Sequence, residues 1–264
     1  MTEKEIDDKL YLARICHLSG LHEETIKYVE ELIKLRNGDI TEEERNLLFS
    51  SFKTLINFRR DSWRTINALE SKEIKNQSSL LPRVTELKLS LTEEIKNYIN
   101  KAIELIDNNL LKKVNNNELK VLYSKIKGDY MRYIIEILPK ENEEEKNTLK
   151  EKAEEDYKIG LNLCDTLNNL NTTKVGLLLN YTVFLYEIMK DYKTAYVIAN
   201  DTYQKTMKSV KDENLDLNVF KDLNKLVNLL KDNISKWSET VKQEINDNGE
   251  NEEPSPEKVE SPSS

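Results

Sequence analysis

Residues 41–70 read TEEERNLLFSSFKTLINFRRDSWRTINALE. Leu47, Leu48, Phe52, Leu55, Ile56, Trp63, Ile66 and Leu69 recur with the period of one long amphipathic helix. Thr41 followed by Glu44 is a capping box, in which hydroxyl and carboxylate each accept a backbone N–H near the helix start. No Gly or Pro interrupts the stretch, so about 30 residues spanning roughly 45 Å are predicted as a single helix. Lys53 and Arg60 lie seven positions apart on it, which places both on one face. Lys125 and Arg132 repeat that spacing further along, and Tyr133 follows directly. Two cationic stripes able to converge on one anion suggest a phosphate receptor.

The helical period continues on both sides. Ile6, Leu10, Ala13 and Cys16 predict a first helix, and Ile26, Val29, Leu32 and Ile33 a second after Gly20. Others are predicted from near Pro82 to about Asp107, then Glu118 to Leu138, Glu141 to Leu167, Thr173 to Lys190, Tyr192 to Val210 and Leu215 to Trp237. With only six Gly and five Pro, the connections are short and neighbouring helices antiparallel. The expected fold class is all-α: nine antiparallel helices in a single superhelical domain with a concave amphipathic groove. The run Asp191-Tyr192-Lys193-Thr194-Ala195-Tyr196 echoes a tetratricopeptide repeat, yet no 34-residue period recurs.

The chain has 264 residues, 33% charged and 38% hydrophobic, enough for one large domain or two small ones. From Glu239 to Ser264 eight acids face two lysines, so this segment carries −6 of the net −8 and leaves the remainder nearly neutral. It also holds three of the five prolines and few large apolar residues. Such a composition does not repay its ordering entropy. The expected organisation is a helical domain at 1–238 and a disordered acidic tail, containing Ser and Pro, at 239–264.

Cys16 and Cys164 are too few for a disulfide framework and read as buried thiols of a reducing compartment. The charged start MTEKEIDDKL does not read as a signal peptide, and no apolar run approaches 18 residues, so a cytoplasmic location without membrane association is expected. His17 and His22 are five positions apart, not the four of a helical zinc pair. No Cys/His cluster, Gly-rich phosphate loop or nucleophile elbow is present, so neither enzyme activity nor a cofactor or metal is expected. A nucleic-acid partner would call for a basic domain with exposed stacking aromatics, and this domain is slightly acidic.

Five ordered segments carry a family resemblance. Arg45-Asn46-Leu47-Leu48-Phe49-Ser50-Ser51-Phe52-Lys53 resembles the first signature of the 14-3-3 phosphopeptide-binding adaptors, and Arg59-Arg60-Asp61-Ser62-Trp63-Arg64 continues it. Lys127-Gly128-Asp129-Tyr130-Met131-Arg132-Tyr133 is similar to the family's central motif, and Leu178 to Glu187 to its seventh helix. Phe220 to Trp237 resembles the closing signature. The resemblance runs in collinear order to about residue 238.

It implies a phosphoserine- or phosphothreonine-dependent adaptor acting on client proteins in signalling. Arg60, Arg132 and Tyr133 match the residues that grip the phosphate, with Lys53 completing the basic pocket. Two forked guanidiniums, an ammonium and a phenol suit a group of about −1.5 to −2 charge with three acceptor oxygens. Asn180 and Asn233 match the amides that hold an extended peptide backbone, and Lys125 lies along the same channel. Leu179, Val183, Leu226, Leu229, Leu230 and Trp237 match the opposite wall of the groove or its neighbours. Asp129, Glu136 and Glu187 match acids that orient the arginines, and Glu187 is also assigned to the groove. The alternative is a phosphate-independent helical scaffold of tetratricopeptide-like type.

Departures from the family pattern carry further expectations. Lys225 and Lys236 stand where the family has leucines, which implies a preference for polar or acidic residues beside the phosphosite. In the family, the first two helices of one subunit pack on the third and fourth of the other. Leu18 and Leu21 replace the usual Arg and Asp there, Leu87 and Ser90 replace Tyr and Lys, and Glu94 is retained. A more apolar homodimer is therefore expected. Ser62 matches a serine near that interface, where a phosphate would favour monomers. The tail, with Pro254-Ser255-Pro256 and terminal Ser261-Pro262-Ser263-Ser264, is expected to compete for the groove when phosphorylated.

Overall fold

The computed structural model describes residues 3–139, 141–213 and 217–249. They form α1 (Glu3–Leu18), α2 (His22–Leu35), α3 (Glu42–Lys75), α4 (Leu81–Leu105), α5 (Asn117–Ile137), α6 (Glu143–Cys164), α7 (Thr172–Phe184), α8 (Tyr192–Asp212) and α9 (Leu217–Gly249), with no strand among the described residues. The all-α expectation holds. The chain divides into two compact units, Met1–Leu167 with α1–α6 and Asn168–Ser264 with α7–α9.

In the first unit α3 begins with both capping-box bonds formed: Glu44 N–H donates to Thr41 Oγ1 at 3.2 Å, and Thr41 N–H to Glu44 Oε2 at 2.7 Å. The Glu44 carboxylate is buried and also receives Arg36 Nε at 2.9 Å, so the cap ties the preceding connection to the helix. The predicted apolar positions Leu47, Leu48, Phe52, Ile56 and Trp63 are buried, packed with Ile26, Val29 and Ile33 of α2 and Ile95 and Ile99 of α4. Trp63 Nε1–H donates to Thr92 Oγ1 at 3.0 Å, which satisfies the buried indole across the α3–α4 seam.

The periodic pattern beyond α4 and α7 is helical but not uniformly α. Ile106–Leu110 and Leu185–Met189 are π turns that continue α4 and α7. A side-chain period near 3.6 does not register one extra residue per turn, so the sequence shows one helix where the backbone widens. Against the first π turn packs the α2–α3 connection, where Gly38 has φ +86°. A Cβ there would meet the Asn109 carbonyl oxygen at 2.4 Å, so both conformation and space require glycine.

In the second unit Tyr186, on the α7 π turn, stacks on Trp237 of α9 with ring centres 4.4 Å apart and planes 10° apart. Its hydroxyl donates to Thr240 Oγ1 at 3.0 Å. The last helix passes the compositional boundary at 238 and runs to Gly249. Val241 is buried one turn beyond Trp237, on the side that also buries Leu230, so apolar packing carries helix past that point. The segment expected to be a disordered tail lies, from residue 250 on, outside the described residues.

Cys164 is buried, whereas Cys16 is only partly so, because α1 leaves that side half open. His17 Nδ1 lies 3.2 Å from Ser51 Oγ, and the His22 ring meets His17 edge-on with centres 5.3 Å apart. Among the described residues no group of three or more His, Cys, Asp or Glu is arranged to hold a metal ion. No described helix is long and apolar enough to cross a membrane.

Candidate functional site

Three of the four residues assigned to the anion pocket come together in the first unit. Arg60 leaves the middle of α3, while Arg132 and Tyr133 are consecutive on α5. The Arg60 guanidinium carbon lies 3.6 Å from the centre of the Tyr133 ring, and that of Arg132 lies 4.9 Å from the same centre. The ring's negative π face offsets part of the repulsion between the two cations. Lys53, two turns before Arg60, is exposed and forms no ion pair among the described residues.

Each arginine has its own anchor. Arg60 donates through Nη2 to Glu136 of α5 and through Nη1 to Asn57 Oδ1 at 3.2 Å, and its buried Nε has no hydrogen-bond partner. Glu136 also receives Arg64 Nε at 2.6 Å, so one carboxylate holds two arginines of α3. Burial opposes ionisation of Glu136, but the hydrogen bonds and charges of Arg60 and Arg64 hold its pKa below the ordinary glutamate value. The motif around Arg60 named Arg64 without this role.

On α5, Asp129 is buried and accepts Lys125 Nζ at 2.8 Å on Oδ2 and the Tyr157 hydroxyl at 2.6 Å on Oδ1. Arg132 Nη2 stands 3.9 Å from Oδ1. Burial works against the Asp129 charge, yet Lys125 and Arg132, with the hydrogen bonds from Lys125 and Tyr157, keep its pKa low. Burial likewise disfavours charged Arg132, and Tyr157, Asp129 and Tyr133 outweigh it, so its pKa lies above the ordinary arginine value. Lys125 is thus fixed by Asp129, one turn from Arg132.

The residues assigned to the peptide channel on the second unit fall into different environments. Leu179 and Trp237 are buried in it, Asn180, Val183, Leu226 and Asn233 are partly exposed, and Leu229 and Glu187 are exposed. Trp237 packs on Tyr186 within the unit. Lys225 and Lys236 are exposed with Leu229 on α9, and Lys225 pairs with Asp222 at 2.8 Å.

Of the residues assigned to a subunit interface, Leu18 is 83% exposed, Leu21 50% and Leu87 53%. Ser62 is partly buried and donates to the Phe58 carbonyl at 3.0 Å. Glu94 is occupied within the chain, accepting Arg59 Nε at 2.6 Å.

The described residues thus form an all-helical chain in which two arginines meet on one tyrosine ring, Arg60 pairing with the partly buried Glu136 and Arg132 lying near the buried Asp129. A family model described as "14-3-3 protein" matches residues 12–238, and the chain belongs to that family. It is 30% identical over 234 residues to the 14-3-3 protein homolog of Trichoderma harzianum, a match covering 88% of this chain and 87% of that one. Similarity to 14-3-3 protein 3 of Entamoeba histolytica is 30% over 241 residues, covering 90% of this chain and 98% of the relative. For 14-3-3 protein 2 of Solanum lycopersicum it is 28% over 253 residues, covering 92% and 98%. Membership supports the general class of phosphopeptide-binding adaptor.

Proposed function

We propose that this protein is a phosphoserine- or phosphothreonine-dependent adaptor whose anion pocket is Arg60, Arg132 and Tyr133, with Lys53 at its edge. The observation that carries the reading is the pair of guanidiniums gathered on the Tyr133 ring. A phosphate dianion offers three acceptor oxygens and the charge that two adjacent cations lack. Glu136 pairs with Arg60, and Asp129 carries the negative charge nearest Arg132 on its own helix. An uncharged serine supplies neither the charge nor the acceptors.

Lys125 in the first unit, and Asn180, Val183, Leu226, Leu229 and Asn233, with Leu179, Glu187 and Trp237, in the second, are proposed as residues that contact the client's extended peptide. The protein binds its client without transforming it, and needs no cofactor. Residues 1–238 act as the binding domain, α9 continues it to Gly249, and the acidic sequence beyond that helix is a tail that competes for the groove, more strongly when phosphorylated. The protein works in the cytoplasm as a homodimer joined through Leu18, Leu21 and Leu87, with Ser62 and Glu94 at the seam. Two pockets then engage one doubly phosphorylated client, with avidity gains of order 10²–10⁴.

Calorimetric titration of a phosphoserine peptide and its serine twin into wild type and an Arg60→Ala, Arg132→Ala variant tests the reading. Binding confined to the phosphorylated peptide and lost in the variant is expected. Equal affinity for both peptides, unchanged in the variant, would instead favour a phosphate-independent helical scaffold.

A further inference from the structure

The Lys127-Gly128-Asp129 motif has a partner on α6 that periodicity hides. Tyr157 is fully buried, and its ring lies against Gly128, where an added Cβ would meet ring carbons at 2.8–2.9 Å. Only glycine at 128 admits the ring at this depth. The Tyr157 hydroxyl therefore reaches Asp129 Oδ1 at 2.6 Å. The Arg132 guanidinium is near enough to the same hydroxyl to favour its ionised form, against burial and Asp129. A buried hydroxyl without partners is costly, and this one is satisfied by Asp129. The aromatic ring alone would fill the space, so what the hydroxyl adds is the bridge to Asp129.

That bridge bears on where Arg132 points. Asp129 and Arg132 carry opposite charges in a poorly solvated site, where their attraction is strong. Even so, Arg132 Nη2 stands 3.9 Å from Oδ1, the oxygen to which Tyr157 donates, while Lys125 donates to the other. Given the phosphate-binding role proposed above for Arg132, we infer that Tyr157 is a positioning residue of the pocket: its hydroxyl stands between carboxylate and guanidinium and keeps the arginine from closing onto Asp129. Without it, Oδ1 is open to Arg132, and the fork turns inward to a full ion pair at the expense of an incoming phosphate.

The test is fluorescence anisotropy with the full chain, a labelled phosphoserine peptide and its serine twin, across wild type, Tyr157→Phe, Arg132→Ala and the double variant. Tyr157→Phe is expected to weaken phosphopeptide binding about tenfold. In the Arg132→Ala background the same change is expected to cost less than about twofold, because Tyr157 acts through that arginine. Equal affinity of Tyr157→Phe and wild type would overturn the inference. So would the same fold loss in both backgrounds, which is what a packing role alone produces. If wild type does not discriminate the phosphate, it is the pocket reading that falls, a result distinguishable from both. Asp129→Asn reads the bridge from its other end should Tyr157→Phe not fold. It keeps an acceptor for the hydroxyl but removes the charge that draws Arg132 inward, so phosphopeptide affinity within about twofold of wild type supports the inference and a loss of about tenfold overturns it.

Discussion

Arg60 lies with its guanidinium carbon 3.6 Å from the centre of the Tyr133 ring, within reach of a second cation, Arg132, on that ring. Two like charges are thus held together in a partly desolvated place, steadied by a π face and by Glu136 and Asp129 behind them. A site of this kind is prepared for an anion before the anion arrives, which reduces the ordering cost of binding.

Replacing Arg60 by Lys keeps the charge and removes the planar fork. Hydrogen bonds to charged groups contribute about 1.5–3 kcal/mol. Arg60→Lys is therefore expected to weaken phosphopeptide binding by about tenfold or more while leaving the serine twin's weak binding unchanged, as read by calorimetry.

Tyr133 has two separable parts. Tyr133→Phe keeps the face that holds Arg60 and loses one phenol donor, so a few-fold loss of phosphopeptide affinity is expected. Tyr133→Leu also removes the cation–π contacts, worth about 0.5–2 kcal/mol each. It should bind several-fold more weakly than Tyr133→Phe and melt at a lower temperature, a ranking that anisotropy and thermal denaturation check together.

Asp129 and Glu136 make the pocket acid-sensitive. Both have folded-state pKa values below the ordinary ones, which are near 3.9 for Asp and 4.3 for Glu. Below those ordinary values the unfolded chain takes up the protons first. Their stabilisation is thus complete above about pH 5 and is lost as pH falls through the ordinary values to the lower folded ones. Urea midpoints followed from pH 7 to pH 2 should decline less steeply at the acid end in Glu136→Gln than in wild type, from a lower starting stability.

Leu18 and Leu87 are large apolar side chains left in solvent by a single chain. Burying each in a partner subunit contributes about 1.5–3 kcal/mol. Leu18→Glu and Leu87→Glu are each expected to shift sedimentation from dimer to monomer at micromolar concentration, with helical content unchanged.

The long helix was legible in residues 41–70 because capping, periodicity and the lack of breakers all agree there. Arg60, Arg132 and Tyr133 were legible as a group through their motifs, and the structure brings them within reach of one another. The π turns were not legible, because one extra residue per turn leaves the apolar period almost intact. Tyr157 was hidden for a different reason: it sits at a core position of α6, and nothing local distinguishes a tyrosine that fills space from one that also donates to Asp129. The end of α9 was placed too early because composition weighed the acids after 238 more heavily than Val241, whose burial continues the helix.

The most direct test of the pocket is a structure of the protein with a bound phosphoserine peptide. The phosphate is expected to accept hydrogen bonds from both the Arg60 and Arg132 guanidiniums and from the Tyr133 hydroxyl, at about 2.7–2.9 Å from the nitrogens. A phosphate bound elsewhere, or a peptide held with these three groups unengaged, would contradict the account.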